Sequence, residues 1–229
     1  MKSIYFLTFS VLLCSVARAQ IAKGDIMLGG DIYYYNSGST SSSSGTPTYT
    51  YTNKSTNVGI NPSFGKAIKD NLVLGVDITY NHYTNGDNSN NNSPDYNTNS
   101  NSFGAGVFIR QYKPLGNGFY LFGQAELNGS YSSGKLDNPG TTSGYTKDDT
   151  KGYNFSFRLY PGVAYALNRR WQLETELTGF FALTYNHSKE TSDYVGQPEE
   201  NSNTHNFNVS SSLTGGNAFT LGVRYWIPG

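Results

Sequence analysis

The sequence is poor in charge, in cysteine and in long apolar runs, and each scarcity excludes something. Only 14% of the 229 residues are charged, against about a quarter in an ordinary globular chain, so a soluble helical protein with a charged surface is a poor fit. The 16 basic and 16 acidic residues balance. That leaves no positive excess to neutralise a phosphate backbone, and no nucleic-acid partner is expected. Cys14 is the single cysteine, so no disulfide scaffold can form within the chain. Nowhere is there a run of roughly 20 apolar residues, the length a membrane-spanning helix needs. What is abundant instead is tyrosine, phenylalanine and glycine, at 19, 13 and 26 residues, amid many Asn, Ser and Thr. The aromatics and threonines favour β structure.

The first nineteen residues read as a cleaved export signal. Lys2 supplies the positive n-region, Ile4 to Cys14 the apolar h-region, and Ala17-Arg18-Ala19 a small-x-small cleavage site before Gln20. A lipidated Cys14 is the rival reading, but Leu13 occupies the position where that motif wants a small residue. The remainder, residues 20–229, reads as one domain.

Beyond the leader, apolar residues recur at every second position in eight segments, as they do in strands with one greasy face. Ile26, Leu28, Ile32 and Tyr34 share one parity in the first, and Leu72, Leu74, Val76, Ile78 and Tyr80 in the third. Phe155, Phe157 and Leu159 alternate with Ser156 and Arg158, and Leu221, Val223 and Tyr225 with Gly222 and Arg224. The eighth segment can be traced back as far as His205, with a bulge at Gly215-Gly216-Asn217. Connections alternate between tight turns, at 67–71, 113–118 and 167–170, and long polar stretches. The latter are predicted as exposed loops at 36–57, 84–102, 132–152 and 186–204. In the second of these, eight of nineteen residues are Asn, which cannot bury a core. Short turns at one end and long loops at the other predict an all-β, eight-stranded antiparallel up-and-down transmembrane barrel.

Two features separate this pattern from a soluble barrel such as a lipocalin. Tyr34, Tyr80, Phe103, Tyr131, Tyr153 and Tyr185 share the apolar parity beside the long loops, and Phe64, Phe119, Tyr165, Trp171 and Tyr225 share it beside the short turns. These are the two aromatic girdles of a membrane barrel. Phe119 and Tyr131 are roughly 30 Å apart in height at about 3.3 Å per residue and a tilt near 40°. The opposite parity carries Asp25, Asp31, Asp77, Glu126, Glu174 and Glu176 against Arg110, Arg158 and Arg224. These nine residues are the expected lumen ion network, with each arginine paired to an acid on a neighbouring strand.

The sequence also resembles the eight-stranded outer-membrane β-barrel domain common in Bacteroidota, of the OmpX-like or porin-like type. The resemblance rests on Asn61-Pro62-Ser63-Phe64-Gly65 with Asn71-Leu72-Val73-Leu74-Gly75, and on its echo Tyr160-Pro161-Gly162-Val163-Ala164-Tyr165 with Trp171-Gln172-Leu173. It rests also on Arg110-Gln111-Tyr112-Lys113-Pro114-Leu115-Gly116 and on the ending Leu221-Gly222-Val223-Arg224-Tyr225. It spans residues 24 to 227. It implies residence in the outer membrane and is nearly silent about activity, since such barrels include adhesins and small channels. The chain departs from the family's usual terminal Phe: Ile227-Pro228-Gly229 follow Trp226.

Catalytic readings are weak. Glu174 and Glu176 could act as an acid–base pair, but eight strands leave a lumen that side chains fill, where buried charges pair with one another. His187-Ser188 invites comparison with the Ser-His pair of lipid A deacylases, yet adjacent strand residues point to opposite faces. Asp148-Asp149 and Glu199-Glu200 lack the alternating ligands and central glycine of a calcium loop. Tyr49-Thr50-Tyr51 has the chemistry of an adaptable binding surface. No catalytic residue, cofactor or metal is assigned. The sequence predicts an integral outer-membrane barrel, monomeric and in contact with outer-membrane lipids. A structural or adhesin-like role would be carried by loops that meet an extracellular protein or surface ligand. The alternatives are a narrow porin for ions or very small solutes and, less favoured, a lipid-modifying enzyme.

Overall fold

In the computed structural model the described residues are 21–43, 49–89, 96–138, 146–177, 180–194, 198–211 and 219–229. The export signal and the Gly215-Gly216-Asn217 bulge lie outside them. The strands are β1 (Ile26–Ser43), β2 (Tyr49–Lys69), β3 (Leu72–Ser89), β4 (Tyr96–Gly116), β5 (Phe119–Asn138) and β6 (Thr146–Ala166). They continue with β7 (Trp171–Leu177), β8 (Phe181–Tyr194), β9 (Glu200–Ser210) and β10 (Phe219–Ile227). Each of the first six pairs antiparallel with its successor, β7 pairs with β6, and β10 pairs with both β7 and β1. The sheet therefore closes on itself. Because β7 and β8 share one pass and β9 and β10 the next, ten segments trace an eight-stranded barrel.

The ladder runs through most of the residues expected as exposed loops. β1 and β2 stay in register from Ile26↔Lys66 up to Ser43↔Tyr49, and β5 and β6 up to Asn138↔Thr146. Backbone pairing needs no greasy face, so it continues where Asn, Ser and Thr take over both faces. Alternation, the signal that announces a strand, fades there because both faces meet water.

Two irregularities concentrate on the last two passes. β6 pairs with β8 through Leu159↔Phe181 and with β7 from Gly162↔Glu176, so Tyr160 and Pro161 have no ladder partner on that side among the described residues. Proline lacks the amide that would have been left over. Further up, among the described residues, β9 pairs with β8 alone, and beyond Ile32 β1 pairs only with β2. Among the described residues the barrel is thus a complete ring in its turn-side half and has a seam between β9 and β1 in the other.

At the turn end, Asn71 and Asn117 take left-handed conformations, φ 60° and 52°, a geometry asparagine tolerates better than most residues. The Asn168 side-chain oxygen accepts from the amides of Arg170 and Trp171, at 2.8 and 2.9 Å. The segment before β1 folds against this end, with the amide of Asn71 donating to the carbonyl of Ile21 at 3.0 Å and that of Gly24 to Ala67 at 2.8 Å.

The outer wall is greasy: Leu74 is 51% exposed and Ile32, Ile78, Val107 and Leu221 more so. Both girdles lie on it. Tyr80 stacks against Phe103 at the long-hairpin side, while Phe119 meets Tyr165 and Trp171 meets Tyr225 at the turn side, ring centroids 4.7 to 4.9 Å apart.

Candidate functional site

The interior is filled in two layers. Nearest the turn end, Met27, Val73, Tyr112, Tyr120, Phe122, Ala164, Ala166 and Trp226 form a buried cluster with Ile21 and Phe108. Tyr112 sits at its centre, 5.4 Å from Phe122 and 6.0 Å from Trp226 between ring centroids. The Trp226 indole N–H donates to Gln172 Oε1 at 2.9 Å, giving the indole's polar tip a partner. The charged parity is therefore partly apolar. Large aromatics on it, visible in the sequence at 108, 112, 120, 122, 160 and 226, were the overlooked signal.

Above this layer lies the ionic one. Arg110, on β4, reaches across the lumen: its Nη1 donates to Glu174, its Nη2 to Glu176 Oε1 at 2.7 Å, and its Nε to Gln124 Oε1. Its guanidinium rests 4.4 Å over the Phe122 ring, a favourable placement for a cation. Arg224, on β10, meets the same two acids, at 3.1 Å from Glu174 and 3.3 Å from Glu176, and meets Asp31 at 3.2 Å. The Tyr112 hydroxyl donates to Glu174 Oε1 at 2.6 Å. Two arginines and three carboxylates thus share one knot.

Arg158 pairs with Glu126 on the adjacent strand, and Glu126 also accepts from the Tyr160 hydroxyl and, at 3.0 Å, from Gln124. Gln124 links this second group to the first. Asp77 faces it through a long contact from Asn128 at 3.5 Å. A polar cavity of about 50 Å³ separates Asp31, Asn61, Ser63 and Asp77 from Glu126 and Arg158, with room for a few waters.

Eight of the nine residues expected in the lumen network line this interior. Asp25 does not. It precedes β1, accepts from the amides of Ala22 at 2.9 Å and Gly229 at 3.2 Å, and ties the two ends of the described chain together at the turn end. The expected pairing also needs correction for Arg110, whose acids lie across the lumen on β7 rather than on the adjacent β5. In a barrel this narrow an arginine spans the bore, so strand adjacency does not choose its partner. Glycines make the close packing possible. A Cβ at residue 29 would come within 2.2 Å of Arg224 Cδ, and one at residue 222 within 2.0 Å of Asp31 Oδ1.

The remaining candidates do not gather into a catalytic group. Each interior glutamate is occupied by arginine, tyrosine or glutamine. His82 bonds Asn101 at 2.8 Å on the outer parity, and the register of Ser188 opposite Gly152 and Thr204 places it on the face opposite His187. Asp148 and Asp149 are ladder residues of β6, and Glu200 opens β9. Among the described residues, no three His, Cys, Asp or Glu side chains form a metal-sized cluster.

A closed antiparallel barrel with an apolar, aromatic-belted outside and a polar, plugged inside is an integral membrane barrel. The chain belongs to the outer membrane protein beta-barrel domain family, whose model matches residues 6–225. Outer-membrane residence follows. Among solved structures, the outer membrane protein OprG from Pseudomonas aeruginosa is similar at 14% identity, with 92% of this chain and 99% of that one covered and a TM-score of 0.50. A major outer membrane protein from Thermus thermophilus aligns at 7% identity, 89% and 98% coverage and TM-score 0.48. Neisserial surface protein A aligns at 18%, 89% and 99%, and 0.37. Among curated protein sequences none matches it.

Proposed function

We propose that this barrel is a non-conducting outer-membrane anchor whose long hairpins carry a structural or adhesin-like role at the cell surface. The observation behind the reading is the plug: Arg110, Arg224 and Glu174 are each 2% exposed or less, and Met27 and Val73 beneath them are fully buried. Ion passage would require the doubly paired Arg110 to leave both glutamates, against a cost of several kcal/mol for uncovering a buried charge. From Tyr34 to the end of β1 the ladder continues for nine residues past the girdle, about 30 Å of strand at ~3.3 Å per residue. Its Asn, Ser and Thr surface suits an extracellular protein or surface ligand. Outer-membrane lipids meet the greasy wall, and a monomer suffices because the turn-side half closes as a ring. The OmpX-like, Bacteroidota assignment rests on the motifs quoted from the sequence, and no catalytic step is assigned.

A narrow porin is the second reading. It is favoured by the polar cavity above the plug and by Arg158, whose side chain is 36% exposed. Planar-bilayer recording of the refolded barrel separates the two. We expect no steady conductance; stable, ion-selective steps that shift in Arg110→Ala would replace the anchor reading with the porin.

A further inference from the structure

We propose that His187 and His205 form a two-imidazole binding site for a late first-row divalent metal ion, with Zn²⁺ as the natural probe, on the outward face of the β8–β9 hairpin. The two histidines are direct partners in the β8–β9 register. Their Nδ1 atoms face each other at 3.3 Å, with ring centroids 4.4 Å apart. Zinc–nitrogen bonds of about 2.0 to 2.1 Å at a tetrahedral angle place the two donors about 3.3 Å apart. The unliganded pair already has that bite. In the absence of metal one imidazole N–H can serve the other ring's lone pair across this gap. Shifting that proton to Nε2 leaves two lone pairs for the ion, and with the ring planes 32° apart rotation about χ2 turns the two lone pairs toward a shared point.

The surroundings hold the pair in place. Tyr153 stacks on the His187 ring at 4.7 Å, and the Tyr185 hydroxyl lies 2.9 Å from His205 Nδ1. Both tyrosines belong to the girdle and His187 is the direct register partner of Tyr153, so the histidines stand at the level of that belt, the membrane–water interface, within reach of water and ions. With only two nitrogens from the chain, the remaining coordination positions fall to water, an external donor or the Tyr185 phenol. An open, exchangeable site results rather than a closed structural one. Lys151 faces Lys189 on the neighbouring rung. That positive charge opposes all dications alike, so selectivity rests on the donors: imidazole suits zinc, whereas calcium and magnesium are held by carboxylates. The site also has a mechanical consequence. β9 has no ladder partner but β8 among the described residues, and an ion shared by His187 and His205 would clamp it there.

The test is a Zn²⁺ titration of the full, tag-free chain refolded in detergent, with a chromophoric competitor. We expect one Zn²⁺ per chain, undisturbed by excess Ca²⁺ or Mg²⁺. His187→Gln and His205→Gln should each weaken binding by about tenfold or more, and the double variant should be little worse than either, because the two donors act as one chelate. Heat-dependent gel mobility checks that the variants remain folded. On the unaltered protein, hydrogen exchange along β9 should slow when Zn²⁺ is added. Small additive losses, displacement by Ca²⁺, undiminished binding in the double variant, or unchanged β9 exchange would each overturn the proposal.

Discussion

Replacing Arg110 by alanine tests whether the lumen is a dry plug. The substitution removes the donors to Glu174, Glu176 and Gln124 and the cation over Phe122. Among the described residues Arg224 then remains as the only cation touching Glu174, Glu176 and Asp31. Breaking a buried pair and stranding its partner costs about 3 to 5 kcal/mol, and the lost packing against Phe122 places Arg110→Ala toward the upper part of that range. Arg158 offers the contrast. Its side chain is 36% exposed, and Glu126 keeps the Tyr160 hydroxyl and Gln124 after truncation, so Arg158→Ala should cost only about 1 kcal/mol. Urea unfolding of the barrel in liposomes, followed by the fluorescence of Trp171 and Trp226, measures both. Adding Glu174→Gln and Glu176→Gln to Arg110→Ala should recover part of the loss, because the stranded charges disappear with them. Equal costs for the two arginine variants, or a neutral Arg110→Ala, would mean that water fills the bore and that the dry-plug reasoning is wrong.

The other predictions concern the wall and the hairpins. Leu74→Arg puts a charge on the lipid-facing surface and should destabilise the barrel by about 2 to 4 kcal/mol in the same unfolding assay. Gly75→Ala should cost about 1 to 3 kcal/mol by overpacking, because its Cβ would lie 2.3 Å from Phe108 Cζ and 2.5 Å from the Phe64 carbonyl oxygen; an unchanged midpoint would refute that packing. Replacing residues 90–95 by Asn-Gly should leave refolding yield intact, since the paired strands below keep their own hydrogen bonds. Surface adhesion of cells that display the barrel should fall with the same replacement while gel mobility stays native.

The sequence by itself determined the wall. A period-two pattern can bury its greasy set on only one side of a sheet, so Leu74, Val107 and Leu221 had to face lipid, and the aromatics at the ends of that parity had to form girdles. The acidic and basic residues of the other parity were bound for the lumen by the same rule, which is why eight of the nine expected there line it. The tertiary structure decided what local pattern cannot encode. Closure across the bore gave Arg110 its acids on β7, because a long side chain in a narrow barrel meets the far wall as readily as its neighbour. The place where the ladder begins excluded Asp25. Extension of β1, β2, β8 and β9 through polar sequence depended on backbone pairing, which leaves no mark in hydropathy. The facing of His187 and His205, eighteen residues apart in the chain, followed from a hairpin register fixed by that pairing and by nothing in either histidine's own neighbourhood.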